Sequence, residues 1–455
     1  MCGIIGVFSK EDVSRDLFFG LSTLQHRGQE SCGIAVSDGG KIVCQRSPGL
    51  VQEFFSEEKL QGMKGSIGVG HVRYSTAGGS NEYNIQPMLG FSKGKRIALA
   101  HNGNLINSQL LRTRLEEEGM MFQSSSDTEV ILYLIARYYS GDMKEAIFKT
   151  MSLVRGAYSL VVMTEDTLVA VRDPNGFRPL IMGGRGEDYI FASENAAIDV
   201  LGGKVIRDIA PGEVFIVKDG QESSYWFESD EPVASCIFEH IYFARNDAVI
   251  DGINAYEFRV RTGEILAKEH PVTADMVVPV PDSGWPGAIG FAKESGIPIM
   301  EGLVKNRYVG RTFIKPTQRE REMAVKLKLN PLERVVRDKS IVLVDDSIVR
   351  GTTSKRLIQS LREAGVREVH MRITSPPVTH SCYFGIDTPR RTSLIAANYD
   401  VDQICKEIGA DSLGFISIES LKRASAELLG KDSFSDFQFC KACFDGDYPI
   451  DAWVI

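Results

Sequence analysis

Two adjacent carboxylates, Asp345 and Asp346, close an apolar run, and a small hydroxyl-rich stretch follows them: Ser347-Ile348-Val349-Arg350-Gly351-Thr352-Thr353. Such a stretch could cradle a phosphate on backbone N–H groups, with the carboxylates serving hydroxyls or a divalent cation. Asp, Ser, Thr and Gly favour a plain capped turn as well, and residue types leave the two accounts evenly matched. A second chemical candidate stands at the other end of the chain. Cys2 follows Met1, and a second residue this small permits removal of the methionine. Thiol and free α-amine would then sit on one residue, as in N-terminal nucleophiles. The amine titrates at roughly pH 7.7–8.0, so a useful fraction is a base near neutrality. For Cys2 by itself, a small buried cysteine in an edge strand is the simpler account. The third candidate is Cys440-Lys441-Ala442-Cys443, a CxxC without the βαβ surroundings of a redox motif. Two more thiolates would complete an iron–sulfur or zinc site. Cys32, Cys44, Cys236, Cys382 and Cys405 could supply them, and spacing does not choose.

These residues need elements to hold them. Residues 341–344, Ile-Val-Leu-Val, read as a short buried strand of a parallel sheet. Leu357, Ile358, Leu361 and Ala364 then mark one face of a helix, which puts the 345–353 loop at a strand's carboxyl end and a helix's amino end. Around it the second half alternates as a parallel α/β sheet should: helix 256–269, strand 276–280, helix 285–295 closed by Gly296, strand 297–304, strand 369–374. The loop Pro281-Asp282-Ser283-Gly284 also follows a strand, so two strand-end loops on one sheet edge could grip two phosphate groups. The first half is richer in strands. Residues 33–37 and 42–45 read as a hairpin turned by Gly39-Gly40, and helices are expected over 13–25, 107–118, 127–140 and 143–155. Ser126 and Glu129 read as a capping box on the third of these. Two sheets between helical layers suit this content. A polar, acidic stretch at 219–232 reads as the boundary, with a linker near 228–234, dividing the chain into residues 2–231 and 232–455.

At 455 residues the chain is too long for one ordinary core. Lys and Arg total 52 against 60 Asp and Glu, a net −8 that argues against a general nucleic-acid binder. No apolar run approaches the roughly 20 residues that cross a bilayer, and no basic, apolar leader follows Met1. A cytoplasmic protein is expected, in which eight scattered cysteines suit metal or catalysis better than disulfides. One segment departs from the overall acidity. Residues 305–337 hold ten Lys/Arg against three Glu, a local +7 between the two strand-end loops, as a basic flap over a phosphorylated ligand would. Closing it would exclude water from the reaction.

The string from Asp345 to Thr353 resembles the 5-phosphoribosyl-1-pyrophosphate (PRPP) loop of type I phosphoribosyltransferases. The amino-terminal Cys-Gly-Ile-Ile-Gly resembles the glutaminase domain of class II amidotransferases. That match continues through Leu24-Gln25-His26-Arg27-Gly28-Gln29-Glu30-Ser31, Gly70-His71-Val72-Arg73-Tyr74-Ser75-Thr76, Ala98-Leu99-Ala100-His101-Asn102-Gly103-Asn104, the segment around Asp127, and the 173–179 loop. Both halves together resemble the glutamine PRPP amidotransferase family over essentially the whole chain. The fold this implies is α/β overall: an N-terminal nucleophile αββα sandwich (α+β), then a type I phosphoribosyltransferase parallel sheet.

The resemblance also implies roles. Cys2 would be the nucleophile, with Asn102 and Gly103 as the oxyanion hole. Arg73 would hold the glutamine α-carboxylate and Asp127 its α-ammonium. Residues 345 to 353 would bind PRPP, joined by Asp282, Ser283 and Gly284, with Mg²⁺ near Ser283, Asp345 and Asp346. Cys236, Cys382, Cys440 and Cys443 would hold a [4Fe-4S] cluster in one branch of the family, although four thiolates suit zinc too. Lys305, Arg307 and Lys326 would take part in feedback by purine nucleotides, and the family suggests a homo-oligomer, a tetramer. The implied reaction opens purine synthesis: ammonia from glutamine displaces pyrophosphate from C1 of PRPP, giving 5-phosphoribosylamine. Other class II amidotransferases lack the Val-Asp-Asp-Ser loop, and a non-catalytic PRPP-sensing regulator would need neither Cys2 nor a glutaminase half.

Overall fold

The computed structural model describes residues 1–74, 81–306, 329–430 and 439–451. The first half is two stacked antiparallel sheets. Its strands are β1 (Gly3–Phe8), β2 (Ser31–Ser37), β3 (Ile42–Pro48), β4 (Ile67–Arg73), β5 (Met88–Ser92), β6 (Lys95–Leu105), β7 (Gly156–Met163), β8 (Thr167–Arg172), β9 (Ile181–Arg185), β10 (Asp188–Ala192), β11 (Lys204–Asp208), β12 (Glu213–Lys218) and β13 (Gln221–Trp226). One sheet runs β11-β9-β10-β1-β4-β2-β3 and the other β13-β12-β8-β7-β6-β5. Ile4, Ala35 and Val69 of the first pack against Ala98, Ala100, Val161 and Ala170 of the second, a core of small and β-branched side chains that lets the sheets approach closely. Helix Ser14–Thr23 covers the first sheet, and helices Asp127–Tyr138 and Met143–Met151 cover the second. Chain entry at β1 is thus central: Gly3 to Phe8 pair with β4 on one side, and Ile5 to Phe8 with β10 on the other. That double pairing fixes an amino terminus that would otherwise fray.

Three expectations need correction. The stretch read as polar boundary contains β13, because Asp219-Gly220 turn a hairpin onto β12 with Lys218 opposite Gln221. Ser126 does cap its helix, accepting from Thr128 N at 3.2 Å, but Glu129 does not complete a capping box. Its carboxylate instead accepts from Gln123 N and Ser124 N, at 2.9 and 2.8 Å, and so fixes the loop before the helix. Of the expected 297–304 strand only residues 303 and 304 pair as a strand, within Leu303–Lys305 against Leu329–Pro331, and Ile299 makes an isolated bridge to Val277.

The second half centres on a four-stranded parallel sheet in the order Met276–Pro279, Ser340–Asp345, Glu368–Ile373, Ser412–Phe415. Helices Ala255–Glu269, Trp285–Ser295, Thr352–Glu363, Val401–Ile408 and Ile418–Leu428 cover it. The apolar face read from the sequence is the buried one: Leu357, Ile358, Leu361 and Ala364 pack in one core with Ile341, Leu343 and Met371. Helices Ala255–Glu269 and Trp285–Ser295 touch backbone to backbone, since a Cβ on Gly263 would lie 2.0 Å from the Gly287 carbonyl oxygen. No helix among the described residues is long and apolar enough to cross a membrane.

Candidate active sites

The amino terminus brings Cys2 to the carboxyl end of β4 and the middle of β6. Its backbone N–H donates to Asn102 Oδ1 at 3.1 Å, and its thiol reaches the Tyr74 carbonyl at 3.6 Å. The other end of the Asn102 amide, Nδ2, is buried without a partner among the described residues. A buried N–H left unpaired costs about 1–3 kcal/mol. An amide that spends one end on the nucleophile's residue and keeps the other free is placed to donate to a developing oxyanion. Gly103 follows it, where no side chain fits: a Cβ would lie 2.0 Å from the Ala157 carbonyl oxygen on β7.

Arg73 and Asp127 stand around the same point, both buried. Arg73 ends β4, with Nη1 3.7 Å from Glu30 Oε1. Asp127 Oδ2 accepts from Leu105 N at 2.9 Å, while Oδ1 stands 3.9 Å from His101 Nδ1. The structure therefore gathers Cys2, Arg73, Asn102, Gly103 and Asp127 from four separate segments. It adds one residue given no role from sequence: Arg27 Nε donates to the Cys2 carbonyl at 2.9 Å. Met1 is itself buried, and burial pushes its amine down to about 5. Its side chain belongs to the core of the second half, the cluster that also holds Cys236 and Cys443.

The second site lies at the carboxyl edge of the parallel sheet. Strands Met276–Pro279 and Ser340–Asp345 are neighbours, so their loops are neighbours too. They touch: Val280 N donates to Val344 O at 2.9 Å, and a Cβ on Gly284 would lie 2.4 Å from that same oxygen. Burial, reinforced by the charge of Asp346, pushes the Asp345 carboxyl well up. Asp346 is also raised by burial, against hydrogen bonds from Ser283 and Ser347. Two adjacent carboxylates that resist ionisation form a donor set that a divalent cation would relieve. Past them, no backbone N–H of residues 347–351 has a partner among the described residues. Gly351, at φ +74°, turns the chain into the helix that begins at Thr352. Ile348 is a core side chain, so it can offer a ligand only its backbone, whereas Thr352 and Thr353 are exposed at the helix start. Asp282 is exposed and ion-paired with Lys305. Arg307, Lys326 and most of the basic segment lie outside the described residues, as do Ser75 and Thr76.

Four cysteines converge between the halves. Cys236 and Cys440 are register partners in a short parallel ladder, Cys443 lies on helix Ala442–Asp445, and Cys382 Sγ accepts from Phe384 N at 3.3 Å. Burial pushes Cys236 up to about 11 and Cys440 and Cys443 further, and each of these three also feels Cys382. The buried Arg178 guanidinium faces Cys236 and Cys382. Cys32 and Cys44 lie in the antiparallel sheets and Cys405 on helix Val401–Ile408, apart from this group. Among the described residues no three His, Cys, Asp or Glu side chains converge tightly enough to hold a single metal ion.

Comparison with known proteins places the chain among relatives. Residues 71–200 match a family model described as a glutamine amidotransferase domain. An amidophosphoribosyltransferase of Methanocaldococcus jannaschii is 48% identical, covering 99% of this chain and 98% of its own. That of Bacillus subtilis is 46% identical over 99% and 94%. The solved structure of glutamine PRPP amidotransferase from B. subtilis, complexed with ADP and GMP, superposes with a TM-score of 0.93 at 44% identity, over all of this chain and 98% of that one.

Proposed function

This chain belongs to the amidophosphoribosyltransferase family, and we propose that its two sites divide the reaction as follows. It is an enzyme of the first step of purine synthesis, using glutamine and PRPP. At the amino-terminal site the Cys2 thiol attacks the glutamine amide carbon, and its proton passes to the α-amine that Met1 removal would free. Asn102 Nδ2 and Gly103 N–H hold the oxyanion as the tetrahedral centre forms. Arg73 takes the α-carboxylate in a bidentate fork, and Asp127 the α-ammonium. Collapse expels ammonia, leaving a thioester that water hydrolyses to glutamate.

At the second site, ammonia attacks C1 of PRPP and pyrophosphate leaves. Residues 347–353 hold the 5′-phosphate through unpaired backbone N–H groups and the helix N-terminus. Asp345 and Asp346 hold the ribose hydroxyls, and the 282–284 loop the pyrophosphate. Ser283, Asp345 and Asp346 would hold Mg²⁺, which when bound neutralises charge on the leaving pyrophosphate.

Cys236, Cys382, Cys440 and Cys443 would hold a [4Fe-4S] cluster. Cys236, Cys440 and Cys443 are buried and Cys382 partly so, and each of the first three feels the charge of Cys382, as a set of thiolate ligands to one metal–sulfide core requires. All four lie within residues 232–455, so the group would act as a staple inside that half. Three further assignments follow the family: a cytoplasmic location, assembly as a homo-oligomer (a tetramer), and inhibition by purine nucleotides through the segment around Lys305. The B. subtilis relative, solved with ADP and GMP, supports the last of these.

The observation that carries the proposal is the Asn102 amide, bonded to Cys2 at one end and free at the other. Glutamate and pyrophosphate release, followed with glutamine and PRPP, tests it. Cys2→Ala should abolish glutamine-dependent turnover and leave ammonia-dependent turnover intact. Glutamine-dependent turnover surviving that change would remove Cys2 as the nucleophile.

A further inference from the structure

Arg27, which grips the Cys2 carbonyl, is not held by the glutaminase sheets alone. Its Nη1 donates to Glu194 Oε1 at 2.6 Å, and Glu194 follows β10. Nη2 and Nη1 also donate to the two oxygens of Glu239, at 2.8 and 3.1 Å. Glu239 comes from beyond the last strand of the second sheet, in the half that carries Asp345 and Asp346. All three side chains are buried. Taking a guanidinium and two carboxylates out of water costs several kcal/mol per ion. A backbone N–H would hold a carbonyl more cheaply, so the arrangement calls for a reason beyond stability.

The setting of Glu239 suggests one. It opens a single π-helical turn, Glu239–Phe243, a conformation that is rare and concentrated at functional sites. Arg259 on helix Ala255–Glu269 holds the far flank of that turn. Its Nε donates to His240 O at 2.8 Å, Nη2 to Ala244 O at 2.7 Å, and Nη1 to Asn246 Oδ1 at 2.7 Å. Burial lowers the basicity of Arg259, and the charge of Asp346 is the first to oppose it. One buried line of contacts thus runs from the Cys2 backbone through Arg27, Glu239 and the π-turn to Arg259, whose charge is felt at Asp346.

We propose that Glu239 is a positioning residue for the glutaminase nucleophile: by completing the grip on Arg27 from the second half, it makes the orientation of Cys2 depend on how that half is docked. The proposal rests on Cys2 being the nucleophile. With Glu239 withdrawn, Arg27 keeps one carboxylate, its Nη2 loses its acceptor, and the Cys2 carbonyl loses a rigid donor. Arg27, Glu239 and Arg259 are not among the residues assigned to PRPP, so the second reaction should not need Glu239.

Glu239→Gln and Glu239→Asp, compared with the native enzyme by three rates, test this. The rates are glutamine hydrolysis, ammonia-dependent pyrophosphate release from PRPP, and alkylation of Cys2 by the electrophilic glutamine analogue 6-diazo-5-oxo-L-norleucine. Glu239→Gln should lower kcat for glutamine tenfold or more with KM within about twofold, and slow alkylation in step. Glu239→Asp, which keeps the charge one methylene farther back, should fall between. Ammonia-dependent release should stay within twofold in both, which also reports that the second half is folded. Glutamine kcat unchanged in both variants overturns the proposal. So does a parallel fall of glutamine- and ammonia-dependent rates, which would mark Glu239 as merely structural. A native enzyme without glutamine-dependent turnover would overturn the functional assignment itself.

Discussion

Asn104 Nδ2 donates to the Tyr383 carbonyl at 2.9 Å, which ties the strand carrying Asn102 and Gly103 to the loop carrying Cys382. The contact is wider than one bond. Phe384 stacks on Phe177 at 4.2 Å between ring centroids, and Gly385 lies against Gly103. Gly385 has φ +103°, and a Cβ there would stand 3.0 to 3.2 Å from the Gly103 backbone. Gly385→Ala should therefore push the oxyanion N–H out of place. A displacement of this order costs about 10- to 100-fold in rate, expected in glutamine kcat while ammonia-dependent synthesis is spared. An equal loss of both activities would show that the loop only holds the halves together.

Asn102 allows a sharper separation of roles. Asn102→Ala removes the side-chain donor and should cost roughly 10²–10³ in glutamine kcat, with little change in KM. Arg73→Lys should do the reverse, raising KM, because a point charge replaces a bidentate fork. Steady-state kinetics with glutamine at saturating PRPP reads both. Matching effects in the two variants would contradict the division between substrate grip and oxyanion hole.

The four thiols predict a metal inventory. Purified without oxygen, the protein should hold about four irons and four sulfides per chain, with a broad visible absorption that Cys440→Ser removes. One zinc per chain and no sulfide would replace the cluster by the smaller site. In either case chelation should lower the thermal midpoint, since metal binding to a buried site is folding free energy.

The second site separates from the first in the same manner. Asp346→Asn takes one of two adjacent charges from the strand end and should lower PRPP-dependent turnover about 10- to 100-fold, while glutamine hydrolysis persists. Relieving a buried carboxylate should also raise the thermal midpoint by about 2–4 °C. Calorimetry without Mg²⁺ measures the gain, and a lower midpoint would mean that the carboxylate is compensated by groups other than a cation.

Sequence made local chemistry legible and left long-range contacts hidden. The Asp345–Thr353 loop could be placed because strand, loop and helix are continuous and each step has its own pattern, while its ligand came only from its resemblance to a PRPP loop. The glutaminase residues are scattered, and only their resemblance to a family joined Cys2 to Asn102 across 100 residues. Arg27 was within a recognised segment but carried no role, because its job depends on the Cys2 carbonyl and two distant carboxylates. Glu239 and Arg259 belong to no motif at all. Their meaning arises from a π-turn that no residue pattern announces. The β13 strand was read as part of the polar boundary because an edge strand that faces water, Gln221 to Trp226, has no apolar alternation to show.

Glu194 provides a test of the buried ion group by pH. Burial pushes its carboxyl up, but His26 and Arg27 outweigh burial and hold it near 2. A free glutamate titrates near 4.3, so the depression is a stabilising one. The sign follows from linkage. Between the two values the unfolded chain binds the proton and the folded chain does not, so stability falls as pH is lowered. The contribution, on the order of 3 kcal/mol, is complete above the unfolded value and is lost as pH falls through about 2. Glu194→Gln should therefore cost about 3–5 kcal/mol at neutral pH, where it strips a buried guanidinium of one partner. Denaturant melts of native and variant protein should converge as pH is lowered from about 4 toward 2. A gap that stays constant over that range would show that Glu194 is not the charged partner of Arg27.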